Sequence, residues 1–126
     1  MRLNMLLVVS AAIAAVFGAV FIVVPGPVAA IYGITLDKAG VLAAQLFGAA
    51  LVGFAVLNWF ARDVTDPTGR QAVVLSNLVG DAVGFVVILL GQLSGIANAL
   101  GWINVVLYLL LVLGFAYVQF MGPRRA

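Results

Sequence analysis

The chain predicts an all-α integral membrane protein: four transmembrane helices in an up-and-down bundle, with a short interfacial segment between helices 1 and 2. Three observations carry this reading. First, 66% of its 126 residues are hydrophobic and only 8% are charged, against about 25% charged in an ordinary soluble domain. No soluble fold of this size hides that much apolar surface. Second, four apolar runs of about 20 residues match the ~30 Å hydrocarbon layer when wound as helices. Third, the runs leave only short connectors, so residues 1–126 read as a single transmembrane domain with spans at 5–24, 39–61, 71–92 and 101–121.

The first span follows Arg2. It resembles a signal peptide, with the small-residue triplet Ala12-Ile13-Ala14, but its apolar run exceeds the usual 7 to 15 residues, so it reads as an uncleaved helix. Ala11, Ala15 and Ala19, with Ala14 and Gly18 beside them, recur at four-residue spacing and offer a close-packing face. Pro25 and Pro27 are expected to end the helix, because neither has an N–H and each restricts the residue before it. Residues 28–36 are too short to span, so 28–32 form a short interfacial turn with Tyr32 at headgroup level.

Thr35 and Asp37 supply N-cap oxygens for the second span. There Gly40, Ala44 and Gly48 form one small-residue stripe, with Ala49 and Gly53 on an adjacent one. Gln45 lies inside the span as an interhelical hydrogen-bond donor, and Asn58 with Trp59 marks its other boundary. Residues 61–70 are the strongly polar connector. Asp66 before Pro67 has the form of an N-cap with proline at the first helical position, so the third helix starts ahead of its span.

The third span carries a polar stripe. At about 100° per residue, Asn77, Asp81, Gly84, Ile88 and Gln92 share one side, and Gly80 with Gly84 makes a GxxxG pair. Residues 93–100 read as a short turn. Trp102 anchors the fourth span, whose bulky centre has Asn104 and Tyr108 as polar exceptions and is expected to face lipid or a partner.

Charge distribution gives topology. Arg2, Arg62, Arg70, Arg124 and Arg125 fall at the termini and second connector, and Lys38 alone falls in the first and third. By the positive-inside rule both termini are cytoplasmic. The net charge of +2 suggests no nucleic-acid partner, since the basic residues form no patch.

The chemistry-bearing inventory is small. Cys, His and Glu are absent, which removes thiolate and imidazole metal sites, disulfides and His-based triads. No base stands at motif spacing from Ser10, Ser76 or Ser94, and the membrane holds no pair of carboxylates. The expectation is a protein that is not an enzyme and carries no cofactor. Asp81 is the exception that asks for a reason, because an Asp at the centre of a span is disfavoured by roughly 2.5 to 3.5 kcal/mol. No cation lies at its depth. A candidate polar cluster joins it to Asn77, one turn away, and to Gln45 and Tyr108 on neighbouring helices. Three roles follow for Asp81: a hydrogen-bonding staple, proton or cation movement, or recognition of a partner or ligand. Burial against Asn77 marks the staple, and a hydrated cavity reaching Asp81 marks transport.

Two families of similar size are set aside on residues. Small multidrug-resistance transporters depend on a Glu in the first span, and fluoride channels on an Asn and Phe set that has no counterpart here. Phe21-Ile-Val-Val-Pro-Gly-Pro27, Tyr32-Gly-Ile34 and Leu46-Phe-Gly-Ala-Ala-Leu-Val-Gly53 resemble small bacterial four-span membrane proteins of unknown function. That resemblance implies a bacterial cytoplasmic (inner) membrane location and no activity. The leading functional expectation is a non-catalytic accessory, assembly or scaffolding subunit, in a larger membrane complex or a homo-oligomer. The alternative is a small oligomeric transporter or channel that uses Asp81, and a third reading is a lipid or quinone pocket beneath residues 28–36.

Overall fold

The structure is a computed structural model and describes residues 2–121; Arg124 and Arg125, which contribute to the topology expectation, lie outside the described residues. The described residues form five helices: α1 (Leu3–Val23), α2 (Pro25–Ile31), α3 (Lys38–Ala61), α4 (Pro67–Leu93) and α5 (Gly101–Phe120). Four of them, all but α2, are long and apolar enough to cross a membrane. No strand occurs among the described residues.

Helix boundaries follow from local chemistry. The Asp37 side chain accepts the Gly40 N–H at 2.7 Å and starts α3, and Asp66 accepts the Gly69 N–H at 2.8 Å with Pro67 at the first helical position of α4. The expected role of Pro25 and Pro27 needs correcting in one respect. They do end α1, but they also open α2, since a proline in the first helical turn gives up no intrahelical bond. Both α2 and α4 close in the same way. Ile34 N–H reaches Ala29 O and Gly33 N–H reaches Ala30 O, as Ile96 N–H reaches Gly91 O and Gly95 N–H reaches Gln92 O. This Schellman geometry needs a left-handed residue, which Gly33 (φ 74°) and Gly95 (φ 76°) supply.

The helices pack as two antiparallel pairs. Within the first, α1 and α3 approach at Gly18 and Gly48. A Cβ on Gly48 would lie 2.7 Å from Gly18 O, and one on Gly18 would lie 2.9 Å from Gly48 O, so the two backbones touch. The buried face of α1 is Ala11, Ala14 and Gly18. Ala15 and Ala19 face outward, because at 3.6 residues per turn a strict four-residue repeat drifts around the helix. In the second pair α4 lies along α5, and the Tyr108 ring sits on Gly84, where a Cβ would come 2.5 Å from Cε1. The fourth span is thus less free than its apolar sequence suggests, with Val105, Phe115 and Val118 buried.

The two pairs meet at the end of the bundle where α1 begins and α5 ends. Leu6 and Leu7 of α1, Val73 and Val74 of α4, and Phe115 and Val118 of α5 form one buried cluster there, with Leu3, Ala61 and Leu78 against it. At the other end the α4–α5 connector clamps α2. Asn98 donates its backbone N–H to Tyr32 O at 2.8 Å and its amide to Ile31 O at 3.0 Å, satisfying carbonyls that the end of α2 leaves free.

Candidate functional site: a cleft between the helix pairs

Between its two closed ends the bundle parts. Asn58 near the end of α3 and Asn77 of α4 form a reciprocal amide pair, with Asn58 Nδ2 donating to Asn77 Oδ1 at 2.9 Å and Asn77 Nδ2 donating to Asn58 Oδ1 at 2.8 Å. Asn77 Nδ2 also reaches Val73 O at 2.9 Å, and both side chains are almost fully buried. Buried amides in lipid need such partners, since no water is at hand to replace them. This pair and the Leu7, Val74 and Phe115 cluster close one end of a cavity of about 430 Å³ lined by all four long helices. Along α4 its wall runs from Ser76 to Ile88, which is about 18 Å at ~1.5 Å per residue. Such a volume lies within the ~300–1,000 Å³ range of small-molecule sites.

The walls differ in chemistry. On the α1 and α3 side Phe17, Phe21, Phe47 and Phe54 face the space, with the Phe21 and Phe47 rings 5.5 Å apart and tilted by 59°. The α4 and α5 side presents Asp81, Gly80, Gly84, Tyr108 and Asn104. Gly80, Val87, Phe47 and Phe54 are exposed on the rim, so the cleft is open at its flank. Asn104 accepts a long 3.4 Å hydrogen bond from the Tyr32 hydroxyl, which ties the far end of the wall to the α2 segment.

Three polar side chains in this lining, Asp81, Ser10 and Tyr108, have no hydrogen-bond partner among the described residues. Among the described residues no side chain or backbone group hydrogen-bonds the Asp81 carboxyl, although it faces the cleft. The Ser10 hydroxyl is buried without a partner. By contrast, Ser76 and Ser94 each bond the carbonyl four residues back, at 2.6 and 2.8 Å.

The expected polar cluster is therefore redrawn. Asp81, Asn77 and Tyr108 do line one cavity, but Asn77 is engaged by Asn58 rather than by Asp81. Gln45 is not part of it: its amide donates to Ile22 O at 3.2 Å, capping the end of α1. Asn58, expected only as a boundary marker, is the residue that sequence reasoning missed. Of the expected helix-contact residues, Gly48 and Gly84 sit at close approaches, and Ala44 is half-buried on α3. Gly40 belongs to the Asp37 cap, and a Cβ on Gly53 or Gly80 would meet nothing within 4 Å. Gly80 lines the cleft, whereas Gly53 is exposed on a face of α3 that takes no part in it. Tyr32, Trp59 and Trp102 all lie at helix ends, with the Arg62 guanidinium 4.1 Å from the Trp59 ring centroid.

Four long apolar helices around a flank-open cleft define a multi-pass helical membrane protein. Residues 1–120 match the model of a family described as a domain of unknown function, DUF8292, and the chain belongs to that family. No curated protein and no solved structure matches the chain significantly.

Proposed function

We propose that this is a non-catalytic protein of the bacterial cytoplasmic membrane that holds a lipid-soluble small molecule in the cleft between its helix pairs. The observation that carries the reading is the cleft itself: about 430 Å³, mostly apolar, open at its flank, with an unmatched carboxyl on its wall. Asp81 makes little sense as a packing staple when Asn77 already bonds Asn58. An intramembrane ionisable group facing a cavity is better explained by what enters that cavity. The orientation that fits the charges puts both termini in the cytoplasm, with Arg2, Arg62 and Arg70 on that side and Lys38 on the other. The amide pair and the apolar cluster then close the cytoplasmic end.

A channel fits this geometry less well, because the plug at Asn58, Asn77, Leu7 and Phe115 interrupts any path through the bundle. An accessory or assembly role in a larger membrane complex is compatible with ligand binding, since a flank-open cleft faces neighbouring helices as well as lipid. The test is solvent extraction of protein purified in mild detergent, followed by mass spectrometry of what is released. The wild type should release a small molecule in near-stoichiometric amount, and Gly80→Trp, which fills the cleft, should not. Equal yields from both proteins, or none from either, would count against the reading.

A further inference from the structure

We propose that the cleft selects an amphiphilic cation, a long-chain amine or a similar lipophilic ammonium compound, with its charged head at Asp81 and its apolar body along the phenylalanine wall. The inference rests on the binding reading above and adds the class of ligand. Its grounds are the balance of charge and of hydrogen-bonding groups in the lining.

Asp81 is the one acidic residue there, and no Lys or Arg lines the space. Asn77 spends both amide N–H groups on Asn58 and Val73 O, and the donors left in the lining, on Tyr108, Asn104 and Asn58, are neutral, so none supplies a countercharge. The Ser10 hydroxyl, also unpartnered among the described residues, can accept from the same ligand as well as donate. An ammonium offers up to three donors and the missing positive charge. The rings of Phe17, Phe21, Phe47 and Phe54 add aromatic faces, which attract a cation and also cover an alkyl body. Length agrees as well, since the lined wall on α4 extends from Ser76 to Ile88, about 18 Å of helix. A lipophilic anion would find no countercharge in this lining and like charge at an ionised Asp81. A neutral alcohol gains the apolar contacts and no charge pairing.

Native mass spectrometry of the detergent-solubilised protein with dodecylamine, dodecanol and dodecanoate decides the matter, since the three probes share one chain length. Dodecylamine is expected to bind one per chain, at least tenfold tighter than dodecanol, with dodecanoate weakest. Asp81→Asn should remove that preference, bringing dodecylamine to within about threefold of dodecanol, and Gly80→Trp should abolish binding of all three. Equal binding of amine and alcohol, insensitive to Asp81→Asn but lost in Gly80→Trp, would overturn the ligand class and leave the cleft as a binding site. Tighter binding of dodecanoate would overturn the ligand class too. Probe binding that survives Gly80→Trp, or none in the wild type, would overturn both readings. Thermal melts of Asp81→Asn and Gly80→Trp establish that each variant is folded before binding is compared.

Discussion

The two halves of the bundle use the same four helices to opposite ends. In the half where α1 begins and α5 ends, Leu7, Val74 and Phe115 are fully buried and Asn58 and Asn77 bond each other. In the other half the pairs separate, Gly80 meets nothing within 4 Å, and Asp81 faces a cleft without a partner. One half is closely packed, and the other leaves a cleft. The difference teaches that a polar residue inside a membrane bundle is not read from its type alone. Asn77 and Asp81 stand one turn apart on α4, yet one is locked into a reciprocal pair and the other is left free.

Substitutions that break this contrast should fall in a definite order. The largest effect is expected for Phe115→Ala, which empties the tight half and should destabilise by about 3–5 kcal/mol, as large aromatic truncations in cores do. Thermal or denaturant unfolding in detergent measures it. Asn58→Leu leaves the Asn77 amide buried with an unmet partner and should cost about 1–3 kcal/mol. Adding Asn77→Leu should recover part of that loss, and a double variant worse than the sum of the singles would show that the amides do not form a pair. Asn98→Ala releases the clamp on α2 and should cost about 0.5–1.5 kcal/mol, with faster hydrogen exchange confined to the α2 segment. Asp81→Asn should be the mildest, within about 0.5 kcal/mol of the wild type, because no described residue loses a hydrogen bond. A loss as large as that of Asn58→Leu would restore Asp81 to a structural role.

Much of the fold was legible because its signals are local. Span length, hydropathy and the caps at Asp37 and Asp66 depend on neighbours in sequence, and each agrees with the observed helices. The Gly48 and Gly84 close approaches were also legible, as small residues on a stripe. The amide pair was not. Asn58 lies three residues from the end of α3, whereas Asn77 lies ten from the start of α4, so depth counted from helix ends separates two residues that meet. α4 begins well outside its apolar stretch, and that offset hides the match. Gln45 is the interhelical donor its place in the span suggests, but its acceptor is Ile22 O of α1 and not the Asp81 cluster, a choice that depends on how α1 ends at Pro25. The cleft could not be read at all, because a void belongs to no residue and depends on how two helix pairs diverge.

The divergence of the pairs is the central claim, and thermal unfolding of two glycine-to-phenylalanine variants tests it most directly. Gly80→Phe places a ring in the cleft and removes a helix-interior glycine, which by itself is worth about 0.5–1 kcal/mol. Its melting temperature should equal or exceed that of the wild type. Gly48→Phe forces a ring into the backbone crossing with Gly18 and should melt well below it. If Gly80→Phe falls as far as Gly48→Phe, the helices are packed against each other at Asp81 and there is no cleft.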